Sequence, residues 1–534
     1  MPRLTTVAIG LASAALTATG GLAVTVPSSS GPTPLVAAAE AQGDAALTSS
    51  IDTILSDPRL DGAMVSVAVR DANTGEPLYE RNETQRLNPA SNMKLFTSAA
   101  ALDALGPDYR FGTDLLTDGR VRNGTLTSDL YLRGGGDPTL LAEDYRDLAR
   151  QLSAAGVRRV QGDLVADDSF FDDVPLGAAW SWDDEPFYYS AVTSALTVAP
   201  DTDYDSGNVI VHTAPAAEAG GRPVVALQPQ TDAVVVDNRA TTGPAGSGNS
   251  LSVERQHASD RVVITGSIAA GATEDTEWVT VPDPTAYAAD VLARALDAEG
   301  IRVFGRVRQA TVSPAARVLA RHESMTVEQL LTPFMKLSNN MHAEALVKTM
   351  GQEATGTGSW DAGLAVVRDY AKRIGVDTST ARISDGSGLS RFDLLGADHV
   401  ADLLLAVRSE PWFRAWYAAL PVTGNPDRFT GGALRSRMRN TPAANNLHGK
   451  TGSMTSVTAL SGYVANADGR DLVFSMISNN FLLSPRSAED ALGVALASWS
   501  EEDGGQAPTV DSRTLRRTTD YGPAGIECSW AKAC

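Results

Sequence analysis

The chain has 534 residues, a net charge of −20 and 43% hydrophobic residues, enough for about three to five domain-sized units with cores of their own. Its glycine and proline content is ordinary, which excludes a collagen-like, low-complexity or wholly disordered chain, and its acidity leaves no electrostatic footprint for nucleic acid or an anionic lipid surface. The basic residues are skewed: 38 Arg stand beside only six Lys, namely Lys94, Lys336, Lys348, Lys372, Lys450 and Lys532.

Residues 1–41 have the layout of a secretory signal peptide. Arg3 precedes an apolar, small-residue stretch from Val7 to Val26, and Ala39-Glu40-Ala41 offers an A-x-A cleavage pattern. No basic stop-transfer cluster follows, and no other segment reads as membrane-spanning. The expectation is a secreted, extracytoplasmic protein with no stable membrane span after processing. Residues 64–70 alternate as a half-buried strand, 71–75 form a turn, and 76–80 return as a second strand. A helix is predicted from Ser91 to about Leu105, where Gly106-Pro107 stops it. Residues 109–315 are strand-like, with frequent Gly, Asp, Thr and Pro turn signals, and read as β-rich inserted material. Thr326-Val327-Glu328-Gln329 is a capping box opening a helix. Further helices are predicted at 341–350, 361–374 and 397–409. Segments 456–465 and 471–478 form a hairpin around Asp468-Gly469, and a last helix covers 485–499. The tail 509–534 reads as loose and open to trimming. It carries the only two cysteines, Cys528 and Cys534, whose spacing permits no more than a small disulfide loop.

Two of the rare lysines sit in chemically suggestive company. Ser91-Asn92-Met93-Lys94 places a serine and a lysine on one face of a helix's first turn. If burial and a second cation depress the lysine, its neutral amine can take the serine proton, and the helix N–H groups lie where an oxyanion would form. Ser529-Trp530-Ala531-Lys532 has the same spacing but no helix to organise it. Lys450-Thr451-Gly452-Ser453 precedes an apolar alternating strand, 455–464. An edge strand there offers a cation, two hydroxyls and backbone N–H groups to a substrate carboxylate and carbonyl, with Gly452 keeping the edge open. Ser338-Asn339-Asn340 lies between two helical segments. Ser338 could relay a proton and Asn340 could hold Lys94 or a substrate amide, although Ser and Asn also serve as plain helix caps there. The six histidines form no spaced metal cluster, and neither G-x-S-x-G nor a phosphate-binding G-x-x-x-x-G-K occurs. No metal and no cofactor is expected.

The order S-x-x-K, S-x-N, K-T-G is the signature of serine β-lactamases and penicillin-binding proteins. With Pro89 to Leu95, Gly134-Gly-Gly-Asp-Pro-Thr-Leu140, Ser338 to Glu344, Asp385-Gly-Ser-Gly-Leu-Ser390 and His448-Gly-Lys-Thr-Gly452, the chain resembles the D-Ala-D-Ala carboxypeptidase/endopeptidases among class C low-molecular-mass penicillin-binding proteins. Ser91 and Ser338 stand 247 residues apart, far more than in a simple β-lactamase. The resemblance implies an α/β fold: a penicillin-binding-protein/β-lactamase-like transpeptidase domain, an antiparallel sheet flanked by helices, made of residues 42–108 and 316–508. Two β-rich domains nested at 109–315 would interrupt it. It further implies Ser91 as nucleophile, Lys94 as general base, Ser338 as proton shuttle to the leaving amine, Asn340 as orienting group, and Lys450 as the cation that keeps Lys94 neutral. Thr451, Gly452 and Ser453 would receive the substrate, with the N–H groups of Ser91 and Ser453 as oxyanion hole. Trp180 to Glu185 and Phe187 to Tyr189 resemble a rim segment of such sites. Asp183 would there meet the free amine of a diamino-acid side chain such as meso-diaminopimelate, with Met454 lining the same pocket. The implied partners are peptidoglycan peptides ending in D-Ala-D-Ala, and β-lactams that trap Ser91. A β-lactamase, or a non-catalytic wall-binding or β-lactam-sensing protein on the same fold, are the alternatives.

Overall fold

The computed structural model describes residues 34–501. The expected leader up to residue 33 and the tail with Cys528 and Cys534 lie outside the described residues. The first two strands, β1 (Met64–Asp71) and β2 (Pro77–Arg81), join the last three, β3 (His448–Met454), β4 (Val457–Ala465) and β5 (Asp471–Asn479), in one antiparallel sheet of order β2-β1-β5-β4-β3. The period-2 alternation of side chains divides this sheet between two cores. Val65, Val67 and Val69 of β1 and Leu472, Phe474 and Met476 of β5 face one core, shared with the first and last helices, α1 (Pro34–Leu55) and α7 (Arg486–Ser498). Ala68, Val473 and Ile477 face the other. There they meet α2 (Met93–Ala104), α3 (Val327–Leu337), α4 (Asn340–Thr355), α5 (Trp360–Arg373) and α6 (Ala397–Ala406), through residues such as Phe96, Leu330, Leu346, Val367 and Val400. The capping box at α3 forms as expected: Thr326 Oγ1 accepts from Gln329 N at 3.2 Å, and Gln329 Oε1 accepts from Thr326 N at 3.0 Å.

Between α2 and α3 the chain leaves along Arg110–Thr117 and returns along Arg317–Thr326, which pair antiparallel. The material between them forms its own sheets and its own apolar cluster, which includes Leu132, Tyr145, Val209, Val262, Tyr287 and Leu292. The expectation of a β-rich middle needs one correction. Two helices, Ala142–Ala154 and Pro284–Ala298, stand among its strands. Tyr145, Leu148, Ala149 and Leu152 are all buried, at the spacing of one helical face, while Asp283 caps the second helix by accepting from Ala286 N at 2.9 Å, with Pro284 as its first residue. Another difference lies at the start. α1 runs through the A-x-A pattern at 39–41 and packs on α7 from Leu47 onward, with Ile51, Ile54 and Leu55 buried beside it.

Candidate active site

The nucleophile turn is tighter than the sequence suggests. Ala90–Asn92 form one turn of 3-10 helix, and α2 starts only at Met93. Ala90 takes φ +44°, an unusual value for a residue with a Cβ. Asn88 supports the turn: its Oδ1 accepts from Ala90 N at 3.0 Å, its Nδ2 donates to the Ser390 carbonyl at 2.9 Å, and Asn479 bonds its main chain on both sides. Ser91 and Lys94 are both buried there.

Lys94 Nζ lies 2.8 Å from Ser91 Oγ, 2.7 Å from Asn340 Oδ1 and 2.8 Å from the Ser387 carbonyl oxygen. The Asn340 amide is oriented by its other end, since Nδ2 donates to the Tyr189 carbonyl at 2.8 Å. Among these three oxygens, Asn340 Oδ1 and the Ser387 carbonyl can only accept. A neutral amine has two N–H bonds and one lone pair. Given to Asn340 and Ser387, its two N–H bonds leave the lone pair for the Ser91 hydroxyl proton.

The three residues of the S-x-N element divide their work. Ser338 terminates α3 in the left-handed region, φ +59°. Asn339 is the helix cap of α4, accepting from His342 N at 3.3 Å, and its Nδ2 donates to Asp205 Oδ1 and the Tyr204 carbonyl, both at 3.0 Å. Ser338 and Asn340 flank that cap and reach the two lysines. The inserted loop that receives Asn339 is itself pinned to the catalytic layer: Asp203 pairs with both terminal nitrogens of Arg428.

Lys-Thr-Gly precedes the alternating strand, which is β4, as expected. It lies within its own edge strand β3, which turns at Ser456 (φ +58°) and pairs with β4, Lys450 opposite Ser461 and Ser453 opposite Thr458. Lys450 is fully buried, and its Nζ donates to Ser338 Oγ at 2.8 Å and to the Thr451 carbonyl at 2.9 Å. Asn92 Nδ2 ties the same strand to the nucleophile turn through the Lys450 carbonyl at 3.0 Å. Gly452 is required by this closeness, because a Cβ there would stand 2.7 Å from the Pro89 carbonyl oxygen and 3.1 Å from Ser91 N. Gly388, at φ +84°, is bound similarly: its Cβ would fall 1.9 Å from the Ala90 carbonyl oxygen.

Met454 is buried in an apolar rim with Ala90, Tyr188, Tyr189, Leu389 and Val457, against which Trp180 and Trp278 pack. Asp183 sits on the short 3-10 turn Trp182–Asp184 with its side chain exposed, and lines a cleft of about 790 Å³ with Phe187, Glu277 and Trp278. Its neighbour Asp184 is the one bonded into the rim, accepting from Tyr189 Oη at 3.0 Å; burial, and then Asp183 beside it, push the Asp184 carboxyl up. The structure thus brings Ser91, Lys94, Ser338, Asn340, Lys450 and Gly452 into one cluster and leaves Asp183 at its margin. His448 stacks on Tyr417 with ring centroids 4.4 Å apart, and burial together with Lys336 lowers it to about 4. This is a packing role. Two features were missed: the Ser387 carbonyl, which carries no residue-type signal, and Arg486 at the start of α7, whose Nη2 donates to Ser453 Oγ at 2.6 Å.

Comparison with known proteins gives the chain's relatives. The chain is 45% identical over 515 residues to the D-alanyl-D-alanine carboxypeptidase of Actinomadura sp. (strain R39), with 94% of each chain covered. Its fold matches the crystal structure of penicillin binding protein 4 (dacB) from Haemophilus influenzae, with a TM-score of 0.74 at 23% identity over 84% of this chain and 99% of that one. A second structure of the latter, complexed with a novel beta-lactam, matches with a TM-score of 0.67 at 23% identity, over 83% and 97% of the two chains. The family described as D-Ala-D-Ala carboxypeptidase 3 (S13) matches residues 47–501; the chain belongs to that family of serine peptidases and is an enzyme of its class.

Proposed function

We propose that the chain releases the terminal D-Ala from peptidoglycan stem peptides, and cleaves the D-Ala-containing cross-links between them, through an acyl ester on Ser91. The observation that carries this reading is the bonding of Lys94, whose two carbonyl-type acceptors leave its lone pair for Ser91. In acylation Lys94 takes the Ser91 proton as Oγ bonds to the carbonyl carbon of the penultimate D-Ala. The oxyanion is received by the N–H groups of Ser91 and Ser453. As the C–N bond breaks, the leaving amine takes the proton that Lys94 drew from Ser91, relayed by Ser338, which Lys450 holds from behind. Water then hydrolyses the ester and restores the Ser91 hydroxyl. Lys450, a second buried cation, disfavours a charged Lys94 and draws the substrate carboxylate toward Thr451 and Ser453. Asp183 receives the free amine of a diamino-acid side chain at the rim, with Met454 forming the apolar wall. β-Lactams acylate the same serine.

The division into a catalytic domain at 42–108 and 316–508 and an insertion at 109–315 belongs to the same reading, supported by the paired strands where the insertion begins and ends. So does secretion to the cell-wall side of the membrane. Cleavage after Ala41 would leave the packed face of α1, from Leu47 onward, in the mature protein. Among the described residues no helix is long and apolar enough to cross a membrane.

Intact-protein mass spectrometry after exposure to penicillin tests the mechanism. The expected result is one penicilloyl adduct, mapped to Ser91 and absent from Ser91→Ala, together with loss of D-Ala release in that variant. An adduct elsewhere, or D-Ala release by Ser91→Ala, would exclude it. Fast turnover of the adduct would favour a β-lactamase.

A further inference from the structure

Behind Lys94 lies a group of buried acids that the mechanism above does not use. Glu344 stands on α4 one turn beyond Asn340, so the two share a helix face. Its carboxylate is fully buried. Oε1 accepts from Ser387 N at 2.9 Å, and Oε2 accepts from Gly386 N at 3.0 Å and Trp360 Nε1 at 2.8 Å. These are the peptides of the loop whose Ser387 carbonyl accepts from Lys94. The rest of that loop is held in the same manner. Asp385 accepts from Gly388 N and Ser390 N, both at 2.7 Å, and from Trp180 Nε1 at 2.8 Å. Asp393 accepts from Ser384 N at 2.6 Å, and Thr97 Oγ1 donates to the Gly386 carbonyl at 2.7 Å.

We infer that Glu344 is a positioning residue for acylation: through Ser387 it sets the second acceptor of Lys94, and so aims the amine's lone pair at Ser91. One helix face then governs both acceptors, Asn340 by direct contact and Glu344 through the residue Ser387, whose N–H it holds. Accepting backbone N–H groups with both oxygens is a task only a carboxylate performs. A glutamine in its place would turn an NH₂ toward one of those N–H groups and displace the loop, and a misplacement of about 1 Å at a reacting group costs up to about 100-fold in rate. The site is also electrically marked. Glu344 faces Asp385 and lies near Asp393 and Lys348, while Lys94 faces His342. Burial and Asp385 push Glu344 up, to about 7.

The inference rests on Lys94 acting as base for Ser91, and its test separates the two. D-Ala release and penicillin acylation are measured against pH for the wild type, Glu344→Gln and Glu344→Asp. E344Q is expected to lose roughly 10- to 100-fold in kcat, with KM held. The acid limb of its profile should move to lower pH, because removing a negative charge and an acceptor disfavours protonated Lys94. E344D, which keeps two acceptor oxygens, should recover part of the lost rate. Wild-type kcat and an unmoved acid limb in a folded E344Q would overturn the inference. Should E344Q fail to fold, Thr97→Val, which frees the same loop from α2, carries the test: kcat is expected to fall with KM held, and wild-type kcat would overturn it. If penicillin does not label Ser91 in the wild type, the parent reading fails instead.

Discussion

Arg486 reaches from the first turn of α7 to Ser453 on the edge strand, donating from Nη2 to Oγ at 2.6 Å. The hydroxyl expected to meet the substrate's terminal carboxylate is thus already backed by a guanidinium. A carboxylate that takes this hydroxyl gains a cation that K-T-G alone does not supply, and hydrogen bonds to charged groups contribute about 1.5–3 kcal/mol. Arg486→Ala should therefore raise KM for a peptide with a free C-terminal carboxylate by roughly tenfold or more. Its kcat should change little, and its KM for a substrate with a blocked C-terminus should hardly move. Equal losses on both substrates would show that Arg486 supports only the strand.

Gly452 makes a sharper demand on the same strand. The Pro89 carbonyl and Ser91 N lie where its Cβ would go, and both are main-chain groups that cannot swing aside. Gly452→Ala must then push β3 away from the nucleophile turn. Overpacking of this kind costs about 1–3 kcal/mol, and here it also shifts Lys450 from Ser338. The variant should fold with a lowered Tm and acylate with penicillin at least about 100-fold more slowly. Wild-type acylation would mean that the strand and turn are not held at this distance.

The residues that were legible in the sequence are those whose motif is local. Ser91 and Lys94 share one turn, Ser338 and Asn340 flank one cap, and Lys450 opens a K-T-G beside a strongly alternating strand. The scarcity of lysine was a fair guide, yet it pointed to more than two residues. Lys336 and Lys348 are as buried as Lys94 and Lys450. Lys336 holds the Leu420 and Thr430 carbonyls, and Lys348 pairs with Asp172 at 2.6 Å and lies 3.9 Å from the Trp360 ring centroid. Their partners are remote in sequence, and most are carbonyls, which every residue has. The same reason hid the Ser387 acceptor of Lys94 inside a motif that stood out only by resemblance. The helix Ala142–Ala154 is a different case. Its Tyr145, Leu148, Ala149 and Leu152 carry the helical period plainly, but the surrounding turn signals outweighed it. For the nucleophile turn, the close approach of β3 and Gly388 sets the one-turn 3-10 start, and only the folded chain reveals that crowding.

His342 tests how dry the ground behind the site is. It is fully buried on the first turn of α4, with Nε2 2.9 Å from the Tyr204 carbonyl oxygen. Burial lowers it from 6.5 to about 3. The sign follows directly. The unfolded chain takes up a proton near pH 6.5 while the folded chain refuses it until about pH 3, so protons favour unfolding across that window. The stability His342 confers is complete above pH 6.5 and declines as the pH falls toward 3, by about 2 kcal/mol between pH 7 and pH 5. Glu344 and Asp137 are raised to about 7 and about 6. They work in the opposite sense, gaining protons on folding, and cancel when two proteins that both contain them are compared. His342→Gln keeps a donor for the Tyr204 carbonyl and cannot titrate. Whatever its absolute stability, its denaturation midpoint should fall less than the wild type's between pH 7 and pH 5, by the equivalent of about 2 kcal/mol. Identical pH slopes would mean that water reaches the imidazole, and with it the underside of the Ser338–Asn340 turn on which Lys94 depends.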